Sequence, residues 1–131
     1  MSALIEVSFG ELIDKMTILE IKSAHITESV KNENIRTELQ ALNLAWDKIP
    51  HLLRLSSEIQ RARAQLKQVN EQLWDIEDAL RELEREKRFD ADFVGLARRV
   101  YQMNDERARL KKYLDGLLGS RFSEEKSYQP Y

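Results

Sequence analysis

A chain of 131 residues with 34% charged side chains, four glycines and two prolines has the size of one domain and the composition of long helices. The absence of cysteine excludes a disulfide framework, thiolate chemistry and Cys-ligated zinc, and agrees with a reducing cytoplasm. A net charge of −2 supplies no field to draw in nucleic acid, no apolar run approaches the ~20 residues of a membrane span, and Met1 to Val7 lacks the pattern of a signal peptide.

Residues 1–8 read as an extended segment, with Leu4-Ile5-Glu6-Val7 at its centre. Ser8 followed by Glu11 forms a capping box, and Val7 with Leu12 a hydrophobic staple, so helix 1 is expected from Phe9 to about Thr27. Helix 2 follows a polar turn near Ser29 and runs to about Lys48, carrying Ile35, Leu39, Leu42 and Trp46 at helical spacing. Pro50 ends it or opens the next helix. The start of helix 3 lies between residues 50 and 57, the later choice being Ser57 with Gln60 as a second capping box.

Helix 3 carries the strongest pattern in the chain. From Leu52 through Leu55, Ile59, Ala62, Leu66 and Val69 to Leu83, apolar residues alternate three and four apart without a miss. That is an a/d heptad stripe, the mark of a helix packed lengthwise on another. Asp90 or Asp92 caps helix 4, whose stripe runs Phe93, Leu96, Val100, Met103, Arg107, Leu110, Leu114, Leu117 and is broken once, at Arg107. Gly119 follows as its C-terminal cap. Folding one stripe back on the other pairs Leu83 with Leu96, Ile76 with Met103, Leu73 with Arg107 and Ala62 with Leu117 in constant register. The acids between Glu71 and Glu86 would then face the basic residues between Arg98 and Lys112. Helices 1 and 2 pair in the same way, Leu19 with Leu42 and Met16 with Trp46.

The expected fold is therefore all-α: two antiparallel helical hairpins (residues 9–49 and 51–118) in an elongated four-helix arrangement, with helices 3 and 4 as a long coiled-coil-like hairpin and 119–131 as a tail. The whole of 1–131 forms one domain. At ~1.5 Å per residue helix 3 reaches about 50 Å, longer than helix 4. Its overhang, Leu52 to Arg61, needs cover from helices 1 and 2, the tail, or a second subunit.

Helix 1 is the unusual helix. Leu12, Met16, Leu19 and Ile26 form one apolar arc and Ile13, Ile21 and Ala24 a second, with Glu20 set between them. Opposite lies a wedge of Glu11, Asp14, Lys15, Lys22 and His25. Such a wedge can bind a polar ligand or move protons, although a solvated face with a Glu11–Lys15 pair has the same composition. Glu20 and Arg107 are each charges within apolar stripes, and an unpaired buried charge costs several kcal/mol. They are expected to meet in the core, with Asn104 beside them, as a register-fixing ion pair or a ligand site.

No metal ligands are expected: His25 and His51 stand alone, without the spacing of a metal motif. Trp46 and Trp74 read as packing anchors, and the basic run from Arg98 to Lys112 lacks the interleaved aromatics of a nucleic-acid face. No phosphate loop, cofactor motif or nucleophile–base order is present.

Two stretches carry a likeness. Ser8-Phe9-Gly10-Glu11-Leu12-Ile13-Asp14-Lys15-Met16-Thr17-Ile18-Leu19-Glu20-Ile21-Lys22 resembles the opening of a family of short bacterial proteins of unknown function, and Asn104-Asp105-Glu106-Arg107, followed by Leu110-Lys111, with Glu124-Glu125-Lys126-Ser127-Tyr128 resembles its later signatures. The likeness spans nearly the whole chain. It implies an all-helical bacterial protein, assigns no activity or ligand, and draws attention to Glu11, Asp14, Lys15, Glu20, Lys22, Asn104 and Arg107. Gln72 to Leu80 superficially resembles the first helix of the helical chorismate mutases, but that family's carboxylate-holding basic residues do not fall in place around it.

The sequence thus reads as a cytoplasmic, non-enzymatic helical interaction or assembly module, a homodimer or the partner of another protein, without nucleic acid, membrane, metal or cofactor. The alternative is a small polar-ligand-binding protein or helical-bundle enzyme, using the charged cluster of helix 1 or a buried Glu20–Asn104–Arg107 set.

Overall fold

The computed structural model describes residues 1–131, whose regular structure is entirely helical: α1 (Phe9–His25), α2 (Ser29–Asp47), α3 (His51–Arg54), α4 (Ser57–Arg85) and α5 (Ala91–Leu117). The Ser8 hydroxyl caps α1 by accepting from the Glu11 amide at 3.1 Å. The helix ends at His25, two residues short of the expected limit, because Ile26 turns into an extended conformation and its carbonyl accepts from the Asn32 side chain. The Asp90 carboxylate caps α5, as the sequence indicated.

The heptad stripe of residues 52–83 is not one helix. The chain breaks at Leu55 and Ser56, leaving the four-residue α3 ahead of α4. The Ser57–Gln60 capping box does not form, since the Gln60 amide reaches back to the Arg54 carbonyl instead. Leu52 and Leu55 are consequently 85% and 61% exposed, and the buried stripe begins at Ile59.

At the centre lies α1, packed against α2, α4 and α5. Its Leu12, Ile13 and Met16 join Leu66 of α4 and Leu110 and Leu114 of α5 in the main core. A helix touched on three sides has little free circumference, which is why eight of its 17 residues are buried. By contrast α2 buries only Ile35 and Trp46. Helices α4 and α5 pack on one another and are joined by residues 86–90. The expected charge pairing across them does not form: Glu77 pairs with Arg81 and Glu106 with Arg109 on their own helices, while Lys112 pairs with Glu125 of the tail. Neighbours one turn apart on a helix are already within reach, whereas a partner across the seam must be held there at an entropic cost.

Candidate functional site

Where α1 crosses α5, polar side chains replace the apolar seam. Gly10, Asp14 and Thr17 lie three or four residues apart on α1, as do Asn104, Arg107, Lys111 and Asp115 on α5, so each set projects from one face. The Asp14 carboxylate, 1% exposed, is gripped by the Arg107 fork: Nε donates to Oδ1 at 2.9 Å and Nη2 to Oδ2 at 2.6 Å. From α4 the Asn70 amide donates to Asp14 Oδ1 at 2.9 Å and to Thr17 Oγ1 at 3.0 Å. A planar bidentate pair with a third donor is the arrangement that offsets the desolvation of a buried carboxylate.

One turn further along α5, buried Lys111 holds two carboxylates, Glu11 at 2.6 Å and Glu124 of the tail at 3.1 Å. Asp115, also buried, accepts from the Gly10 amide at 2.6 Å, the Ser120 hydroxyl and the Glu124 amide. Gly10 permits this contact. A Cβ there would collide with the Lys111 carbonyl and stand 2.6 Å from Asp115 Oδ1, so only glycine lets α1 approach α5 so closely. No buried side-chain nitrogen or oxygen in the protein lacks a hydrogen-bond partner.

The electrostatics follow the geometry. The hydrogen bond from Arg107 to Asp14 outweighs burial and raises the guanidinium above its ordinary pKa. For Lys111, burial alone would lower the pKa, but the carboxylates of Glu11 and Glu124 more than offset it and raise it. Both cations stay charged near neutrality, so neither offers a proton-transfer group at that pH.

Of the residues singled out in the sequence, Glu11, Asp14 and Arg107 belong to this cluster, and Asn104 stands one turn from Arg107. Glu20 does not pair with Arg107; it binds Arg63 at 2.7 Å and Lys67 at 3.1 Å on α4. Asp14, assigned by the helical wheel to the solvated wedge, is the buried partner instead, because the Glu11–Asp14 edge of that wedge packs on α5. Glu11 takes Lys111 rather than Lys15. Lys15 is exposed and Lys22 half-buried. Sequence reasoning passed over Gly10, Thr17, Asn70, Lys111 and Asp115. The last two carried a usable signal, since they continue the Arg107 face at the next two helical turns.

Two cavities meet at this cluster. One, of about 1110 Å³, lies between α5 and the tail and is lined by Tyr101, Asn104, Arg107, Lys126 and Tyr131 among others. The other, of about 490 Å³, is lined by Ile18, Ile21, Leu73 and Trp74, and by the same Asn104 and Arg107. The tail is fastened by Lys126 to Asp105 at 2.9 Å and by edge-to-face packing of Tyr131 on Tyr101 at 4.9 Å between ring centroids. No three His, Asp or Glu side chains are grouped to hold a metal ion, and no helix is long and apolar enough to cross a membrane.

Comparison with known proteins places the chain. It belongs to DUF6165, a family of unknown function, whose match covers residues 3–130, in keeping with the likeness seen in residues 8–22 and 104–128. No curated protein and no solved structure matches it.

Proposed function

We propose that this member of the family is a non-enzymatic helical interaction module that assembles with a second copy of itself through the leucine-rich bend between α2 and α4. The observation that carries this reading is the exposure of Leu44 (67%), Leu52 (85%), Leu53 (40%) and Leu55 (61%) within one short stretch of chain. Single exposed leucines are ordinary, but a local group of them is a docking surface. In the charged cluster, in contrast, each buried polar atom is partnered and the cations are firmly charged. The cluster supports the fold and supplies no nucleophile or poised base.

In this reading α4 and α5 form an antiparallel coiled-coil-like hairpin in the register Leu83–Leu96 to Ala62–Leu117, and α1 and α2 a second hairpin beside it. Leu52 and Leu55 continue the a/d rhythm of α4 past the point where α5 stops. A seam that runs on without a partner is matched by the same seam of another copy. The cysteine-free composition suits a cytoplasmic setting.

Light scattering on eluting protein, across a concentration series, tests the proposal. The wild type should elute as a dimer or larger assembly, and Leu52→Ser with Leu55→Ser should elute as a monomer with unchanged helical circular dichroism. A wild type that is monomeric throughout the micromolar range, or a double variant that still assembles, would refute it.

A further inference from the structure

We propose that the cleft between α5 and the C-terminal segment binds a small organic oxyanion, a carboxylate or phosphate ester on a flat apolar body, with Arg107 and Asn104 as its recognition pair. The cleft measures about 1110 Å³, ample for a metabolite-sized molecule, since such sites typically span roughly 300–1,000 Å³.

The donors left over in the cluster define what the cleft recognises. Arg107 commits Nε and Nη2 to Asp14, and its Nη1 has no partner. The side chain remains 30% exposed. Asn104, one helical turn away, makes no side-chain hydrogen bond, and both residues line the cleft. The rest of this face shows how it treats carboxylates. Asp14 docks on Arg107, and Glu11 and Glu124 dock on Lys111, each delivered from outside α5. Nη1 and the Asn104 amide are the uncommitted donors of that row, carried one helical turn apart by residues that both line the cleft. Asp14 also fixes the plane of the guanidinium, so little ordering is left to complete when an oxyanion arrives.

Charge alone does not make the site. Asp14 already balances Arg107, and Lys126 balances the neighbouring Asp105 at 2.9 Å, so a bare inorganic ion gains little net attraction. Affinity has to come from burying a body as well. Tyr101 and Tyr131 supply the surface: their rings meet edge to face, 4.9 Å between centroids at 64°, both remain exposed, and flat ligands pack favourably against such ring faces. Direction comes from the two free donors, since a ligand that covers Nη1 without offering it an acceptor takes water from it with nothing in return, which is the case for a neutral analogue.

The test is titration of the isotope-labelled full chain with benzoate and phenyl phosphate, with benzyl alcohol and inorganic phosphate as controls, followed by the side-chain N–H signals of Arg107 and Asn104 and by the heat of binding. Saturable shifts at both residues are expected with at least one of the two aromatic anions, and the one that binds more tightly identifies the anionic group. Both controls should bind about tenfold more weakly or less, the loss of roughly one hydrogen bond or one ring face. Asn104→Ala should lower affinity about tenfold without moving the thermal midpoint, since Asn104 makes no side-chain bond in the fold. Absence of saturation by either anion at millimolar concentration overturns the proposal. So does benzyl alcohol binding as well as the anions, or Asn104→Ala binding them unchanged.

Discussion

The Asp14 carboxylate is almost completely withdrawn from water at 1% exposure, while its partner Arg107 keeps 30% of its side chain in contact with solvent. That asymmetry decides what each substitution does. Arg107→Leu strands the buried carboxylate with only the Asn70 amide as donor, and losing one member of such a pair costs about 3–5 kcal/mol, less here for the part of Arg107 that is solvated. Replacing both, Asp14→Leu with Arg107→Leu, removes the desolvation problem along with the bond. Urea unfolding should therefore show the double variant to be more stable than Arg107→Leu alone; losses that simply add would mean the two residues do not act as a pair. Arg107 was recognisable from sequence as the one charge in an apolar stripe, but its partner was not. A helical wheel ranks the faces of α1 by their apolar arcs and so favours Glu20, whereas the three-sided packing of α1 turns the Asp14 face towards α5. The need for glycine at position 10 was equally hidden, because it comes from the Lys111 carbonyl, some hundred positions away.

Helix ends were more legible than helix interruptions. Gly119 closes α5 in the left-handed region at φ 64°, with the Ser120 amide donating to the Asp115 carbonyl and the Gly119 amide to that of Gly116, the paired bonds of a Schellman cap. The same two bonds close α4, from Arg88 to Leu83 and from Lys87 to Glu84, but here the left-handed residue is Lys87 at φ 57°. A Cβ in that region costs roughly 1–2 kcal/mol, partly offset by the greater freedom that glycine has in the unfolded chain. Lys87→Gly should thus stabilise the protein by about 0.5–1 kcal/mol, and Lys87→Ala should not. Thermal and urea unfolding of both variants would decide; equal midpoints for glycine and alanine would show that the cap carries no strain. The break between α3 and α4 was less legible: α4 begins at Ser57, the later of the starts the sequence offered, but the three-four spacing runs through Leu52, Leu55 and Ile59 unchanged and periodicity cannot register a two-residue bend. What marks it is local: proline at residue 50 and adjacent serines at 56 and 57, features that are also compatible with a continuous helix.

Across the whole molecule, stability is distributed unevenly around α1. Eight of its 17 residues are buried and it touches three other helices, while α2 has two buried among 19 and packs on α1. Backbone amides open by the cheapest route available, and a helix with few buried contacts can detach while the remainder stays folded. Hydrogen exchange should find the central amides of α1 and of the Leu110–Leu114 stretch of α5 exchanging only through global unfolding. Residues 30–44 of α2 should exchange faster by several orders of magnitude, through local opening. Uniform protection across all four long helices would contradict this, and would mean that α2 is held by something other than Ile35 and Trp46. The same measurement bears on assembly, because Leu44 and the exposed leucines of α3 lie at the far end of α2. If a second copy covers them, protection near residues 43–47 must rise with protein concentration while residues 30–38 stay open. A concentration-independent profile would leave α2 unpartnered along its whole length.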